Sequence, residues 1–154
     1  HYRSQHESLI AFSNSSFYDN GLVLFPSPHK DHDDYGIKYF KVPHGYFINR
    51  SNHEEAKAIA QALKKHLQEK PNESIGIVAM SAEQRDHIQR TINEMEKDDT
   101  VFAGLLETNR SRHENLFVKN LENVQGDERD VILISMTYGP IEPGGQVFQR
   151  FGPI

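Results

Sequence analysis

Two stretches of this 154-residue chain carry residue types suited to chemistry on a nucleotide. In the first, Tyr2 and Arg3 set an aromatic ring beside a guanidinium. Such a ring stacks on a base, and a guanidinium pairs with a phosphate through several donors at once. Arginine aimed at a terminal phosphate is also a recurrent device in nucleoside-triphosphate hydrolysis. Spacing alone favours a plainer reading, a surface pair at a helix start, because arginine is commonly solvent-exposed. The second stretch runs from Val118 to Ser135. A polar loop with Gln125, Gly126, Glu128 and Asp130 leads directly into the apolar, β-branched run Val131-Ile-Leu-Ile134. That order fits a functional loop held at the start of a buried strand.

Other polar clusters have plainer readings. His29, Asp31, His32, Asp33 and Asp34 are metal-ligating types, but one short flexible loop rarely preforms a site, so a solvated acidic loop is expected and no metal site is assigned. Arg85, Asp86 and His87 are consecutive on a helix and point different ways, which fits a solvated face. Arg110, Arg112 and His113 read as a polar loop rather than a phosphate grip.

The elements that must position these residues follow from hydrophobic period and punctuation. Ser4-Gln-His-Glu7 has capping-box spacing and predicts a helix over 5–18 that buries Leu9, Ile10, Phe12 and Phe17, with Gly21 near its end. Residues 22–34 read as an irregular loop broken by Pro26 and Pro28. Alternation over 37–42 predicts a half-buried strand. Asn52-His-Glu-Glu55 is a second capping box, opening a helix whose face is Ala56, Ile59, Ala60, Leu63 and Leu67. Pro71 ends it, residues 74–80 form a buried strand, and Ser81 starts a helix carrying Ile88, Ile92 and Met95 on one face. Residues 100–115 are ambiguous, 116–121 and 130–136 are strands, and 138–154, rich in Gly and Pro, is mostly loop. Strands alternating with helices predict an α/β domain with a mainly parallel sheet, and ligands bind beyond the carboxyl ends of such strands.

Composition narrows the classes. There are 22 acidic against 17 basic side chains, a net charge of −5, which argues against a large autonomous nucleic-acid footprint. No apolar run approaches the ~20 residues that span a bilayer. The chain has no cysteine, which excludes disulfides and thiolate zinc sites and fits a cytoplasmic protein.

His1-Tyr-Arg-Ser4 and the residues up to Ser13 resemble motif IV of superfamily 1 DNA and RNA helicases. Ile75-Gly-Ile-Val-Ala-Met-Ser-Ala-Glu-Gln84 resembles the family's strand and loop ending in Gln. Gln125-Gly126, Glu128, Asp130, Ile132 and Ser135 match motif V. The nearest branch is that of the RNA-surveillance helicases and large bacterial helicase-like proteins. The resemblance implies that residues 1–154 are part of a second RecA-like motor domain, a three-layer P-loop-NTPase-like fold without its own P-loop. It implies motif IV at 1–13, motif V at 118–135, and the arginine-rich last motif lying outside the sequence.

By the same resemblance, Arg3 is the catalytic arginine finger on the γ-phosphate and Tyr2 stacks near the adenine. Gly126 and Glu128 contact the ribose or phosphate side of ATP. Gln84, Asn120 and Gln125 lie toward a DNA or RNA track or couple it to the ATP cleft. ATP and Mg2+ are shared with a first RecA-like domain, so the fragment alone is expected to be inactive. Ala79 and Asn120 stand where the family often has threonines, and Glu122 where it has Asp, which puts a direct grip by Ala79 in doubt. No G-x-x-x-x-G-K-[ST] loop occurs. Two alternatives remain: a degenerate, non-catalytic interaction module, and a metal-dependent nuclease using the 29–34 loop.

Overall fold

The computed structural model describes residues 6–23 and 35–147, which fall into two compact units. Tyr2, Arg3, the Ser4 cap and the 29–34 loop lie outside the described residues.

The smaller unit, residues 1–41, contains helix α1 (Ser8–Phe17). The helix starts later than the capping box predicts: Glu7 is its N-cap and makes no side-chain capping bond. Of the apolar face expected to be buried, only Ile10 is; Leu9, Phe12 and Phe17 are exposed. The helix end is tied locally instead, where buried Asn14 accepts from the Leu22 N–H at 3.0 Å. The alternating run 37–42 forms no strand, and all but Val42 of it is exposed. Alternation proposes a face, but a strand also needs a paired neighbour, and among the described residues none pairs with this run.

The larger unit opens with a hairpin the sequence did not suggest, β1 (Phe47–Ile48) and β2 (Ser51–Asn52), paired antiparallel. Asn49 and Arg50 both have positive φ (51° and 63°), as a two-residue primed turn requires. Then come α2 (His53–Glu69), β3 (Ile75–Ala79), α3 (Ala82–Asp98), α4 (Thr100–Arg110), β4 (Phe117–Asn120) and β5 (Val131–Ser135). The sheet order is β4-β3-β5, parallel throughout. This is the α/β architecture expected, a parallel sheet flanked by helices. The ambiguous 100–115 stretch is largely helical because Asp99 caps it, accepting from the Phe102 N–H at 3.0 Å.

The core lies between β3 and the helices. Ala56, Ile59, Ala60, Leu63 and Leu67 of α2 meet Ile88 and Ile92 of α3, Phe102 and Leu106 of α4, and Ile75, Ile77 and Ala79 of β3. Burying each of the larger side chains stabilises by about 1.5–3 kcal/mol. The central strand is buried at every position, as a strand covered on both faces must be. A glycine is required at position 76, because a Cβ there would come within 2.3 Å of the ring of Phe117, its partner on β4. Among the described residues, no helix is long and apolar enough to cross a membrane.

His66, in the last turn of α2, is pressed into this structure with its Nε2 buried and without a hydrogen-bond partner. Burial lowers its pKa, outweighing the attraction of Glu73, whose carboxylate is 3.8 Å away. The native ring therefore stays neutral where the unfolded ring protonates, near pH 6.5. Below that pH the unfolded state binds more protons, so stability is present above it and falls with acidification. Urea unfolding should show a lower midpoint at about pH 5.5 than at about pH 7.5, and His66→Leu should flatten that slope. An unchanged slope in the variant would assign it elsewhere.

Candidate functional site

At the carboxyl end of the sheet, one buried side chain ties β5 to the starts of two helices. Ser81 caps α3 by accepting from the Gln84 N–H at 3.1 Å, which turns Gln84 inward in the first turn. Its Oε1 accepts from the Asn52 N–H at 2.7 Å. Its Nε2 donates to the Asn52 carbonyl and to Ser135 Oγ, each at 3.1 Å. One amide thus joins the start of α2, the start of α3 and the end of β5. Gln84 has no exposed surface. Its polar atoms are spent on the protein, an arrangement that suits coupling the expected nucleic-acid track to the rest of the domain.

Asn52 also caps α2, accepting from the Glu55 N–H at 3.1 Å. The box is not reciprocal. Gln84 already holds the Asn52 N–H, and the Glu55 carboxylate crosses to the chain leaving β5. There it accepts from the backbone N–H of Met136 and of Thr137, both at 2.8 Å. Burial raises the Glu55 pKa, outweighing these two bonds and the Ser135 hydroxyl, which favour the charged form. Thr137 is fully buried at φ +69°, and the Tyr138 N–H donates to the Met136 carbonyl at 2.7 Å. That is a three-residue γ-turn of the positive-φ kind, rare and strained. Beyond it the Pro140 carbonyl accepts from the Phe47 N–H, Tyr138 lies 5.4 Å from the Phe47 ring, and a Cβ on Gly139 would meet the Gly45 carbonyl at 2.4 Å.

Asn120 ends β4 in register with Ala79 and is largely buried, accepting through Oδ1 from the Asn123 side chain. Residues 121–130 then return the chain to the amino end of β5. Asp127 N–H donates to the Val124 carbonyl at 3.1 Å, and Gly126 has φ +86°, so Gln125 and Gly126 are the central pair of a type II turn. Gln125, Gly126 and Glu128 are exposed. Nothing lies within 4 Å of a would-be Gly126 Cβ, leaving that backbone open to approach. Asp130 sits at the opposite, amino end of the sheet. Its carboxylate accepts from Ser74 N–H (2.7 Å) and Ser74 hydroxyl (2.8 Å), which lower its pKa. It ties the start of β5 to Ser74, just before β3. Gln84 and Asn120 are therefore brought together at the carboxyl ends, while Glu128 lies two residues from that tie.

The plainer clusters resolve individually. Arg110 pairs through both terminal nitrogens with Glu96. Among the described residues no group of three or more His, Asp or Glu could hold a metal. His87, read as part of a solvated face, instead meets His53 at 2.8 Å and lies 3.4 Å from an Arg90 nitrogen. Burial and the neighbouring His53 and Arg90 lower its pKa. Asn52, Glu55, Ser135 and Thr137 had no functional signal in sequence beyond caps and a motif match.

Gln84→Leu keeps the volume but leaves the buried Asn52 N–H without its acceptor and takes a donor from the Asn52 carbonyl and from Ser135 Oγ. Leaving buried polar groups unpaired should cost about 2 kcal/mol or more, read as a lower urea midpoint with unchanged m. A loss below about 0.5 kcal/mol would mean these groups find other partners.

The comparisons with known proteins agree with this architecture. The AAA domain family matches residues 1–142. The chain is 34% identical over 153 residues to an uncharacterized ATP-dependent helicase of Mycoplasma genitalium, and 33% identical over 159 residues to its homolog in Mycoplasma pneumoniae. Each alignment covers 94% of this chain and 14% of the relative, so the chain corresponds to about one seventh of those proteins. No solved structure matches it. With a family match over most of its length on a parallel α/β scaffold, the chain belongs to the AAA domain family.

Proposed function

We propose that this chain is part of the second RecA-like motor domain of an ATP-dependent nucleic-acid helicase or translocase, of the superfamily 1 kind. The observation that carries the reading is similarity along 94% of the chain to two proteins described as ATP-dependent helicases. The helicase motifs lie in order within it, and the parallel sheet supports it.

In this reading Arg3 stabilises charge on the γ-phosphate and Tyr2 stacks near the adenine. The open backbone at Gly126 and the exposed Glu128 approach the ribose or phosphate side of the nucleotide, and both fit that role in exposure. Gln125 and Asn120 lie toward a DNA or RNA strand, with Gln84 tying the strand side to the sheet. ATP supplies the phosphoryl group, and Mg2+ is held by the first motor domain, since this sequence has no phosphate-cradling loop. Opening and closing of the cleft between the two domains moves the protein along a strand.

A non-catalytic interaction module is the second reading, favoured by the net charge of −5 and by Ala79. Steady-state ATPase of the longer protein that carries this chain separates the two, measured with and without single-stranded DNA or RNA. Strand-stimulated turnover is expected, and Arg3→Ala should lower kcat about a thousandfold or more while leaving the fold intact. Full turnover in Arg3→Ala sinks the finger assignment, and no turnover in the folded wild type with Mg2+ favours the module.

A further inference from the structure

The turn at Thr137 is held against its own preference. A β-branched residue at positive φ is a genuine outlier, and a γ-turn of this hand is strained. Such geometry persists only where the surroundings over-determine it, and it clusters at switch regions. Here the surroundings are few and identifiable. Glu55 on α2 binds two successive N–H groups with its two carboxylate oxygens, and Gln84 fixes Ser135 immediately before them. The Thr137 hydroxyl donates to the Ser135 carbonyl at 3.3 Å.

We propose that Glu55 is a positioning residue that latches this strained turn, and that nucleotide binding releases the latch. The proposal rests on the motor reading for its ligand. In the released state Thr137 relaxes to negative φ and Met136–Thr137 extend β5. That movement pulls on Tyr138 and Pro140, and through them on the hairpin at Phe47. The device has two discrete states because a γ-turn and an extended strand are separate basins. It lies at the carboxyl end of a parallel sheet, the side on which such sheets bind ligands.

Hydrogen exchange at the Met136 and Thr137 amides reads the latch in the longer protein, with and without a non-hydrolysable ATP analogue and Mg2+. Nucleotide binding is followed separately with a fluorescent analogue. Glu55→Gln keeps the shape, replaces one acceptor by a donor, and should raise exchange at both amides about tenfold or more without nucleotide. Thr137→Gly removes the strain, so it should lower exchange and blunt the nucleotide response. In the wild type, the analogue should raise exchange at these two amides about fivefold or more, an opening of about 1 kcal/mol. A purely structural Glu55 would show the variant effect and no nucleotide response. Binding of the analogue with unchanged exchange overturns the latch and leaves the motor reading standing. Absence of binding overturns the motor reading and the switch with it. Equal exchange in Glu55→Gln and wild type overturns the role of Glu55 directly.

Discussion

The side-chain amide of Gln84 fixes where three elements meet. It is fully buried, and its oxygen and both of its protons are used within the protein. A buried amide is costly unless paired, so its partners are held in one orientation rather than in several. Those partners are the backbone of Asn52 and the hydroxyl of Ser135. The amino end of α2 is thereby placed over the end of β5. Only in that placement does Glu55, one turn into α2, reach the backbone of Met136 and Thr137.

Two carboxylates bound to backbone N–H groups behave in opposite ways, and the comparison shows which force wins at each end of the sheet. At the amino end, Asp130 accepts from the Ser74 backbone and hydroxyl, and these bonds hold its pKa down. At the carboxyl end, Glu55 also accepts two backbone bonds, yet burial dominates and its pKa rises. The first is a settled hydrogen-bonded lock that ties the start of β5 to Ser74, next to β3. The second is a charge kept in place at a cost, beside a backbone kept in place at a cost. Stability and conformational change are thus assigned to opposite ends of one parallel sheet.

Much of the fold was legible in local pattern. The α2 face from Ala56 to Leu67 and the α3 pair Ile88 and Ile92 repeat with the helical period, and β3 and β5 are short apolar runs of strand length. Failures came where a pattern lacked a partner. Among the described residues no strand pairs with the alternating run 37–42, and Phe12 and Phe17 are exposed, although Phe17 meets Phe12 edge-on at 6.2 Å. The β1–β2 hairpin went unseen because two strands of two residues carry no period and its turn is Asn49-Arg50 rather than Asn-Gly. Of the site, the Gln125-Gly126 turn was legible because glycine supplies the positive φ. The strain at Thr137 was not, since threonine announces nothing of the kind.

By itself the sequence determined the helices with strong apolar faces, the alternation of elements that yields a parallel sheet, and a resemblance to helicases. These depend on neighbours within a few residues or on matching residue strings. Tertiary structure alone decided what the polar residues do. It made Gln84 a buried tie, took the Glu55 carboxylate from a helix cap to the chain leaving β5, and set Asp130 at the opposite end from Gln84. The reason is physical: a hydrogen bond is satisfied by whichever partner the fold brings within 3 Å or so, and for Glu55 that partner is 81 residues away.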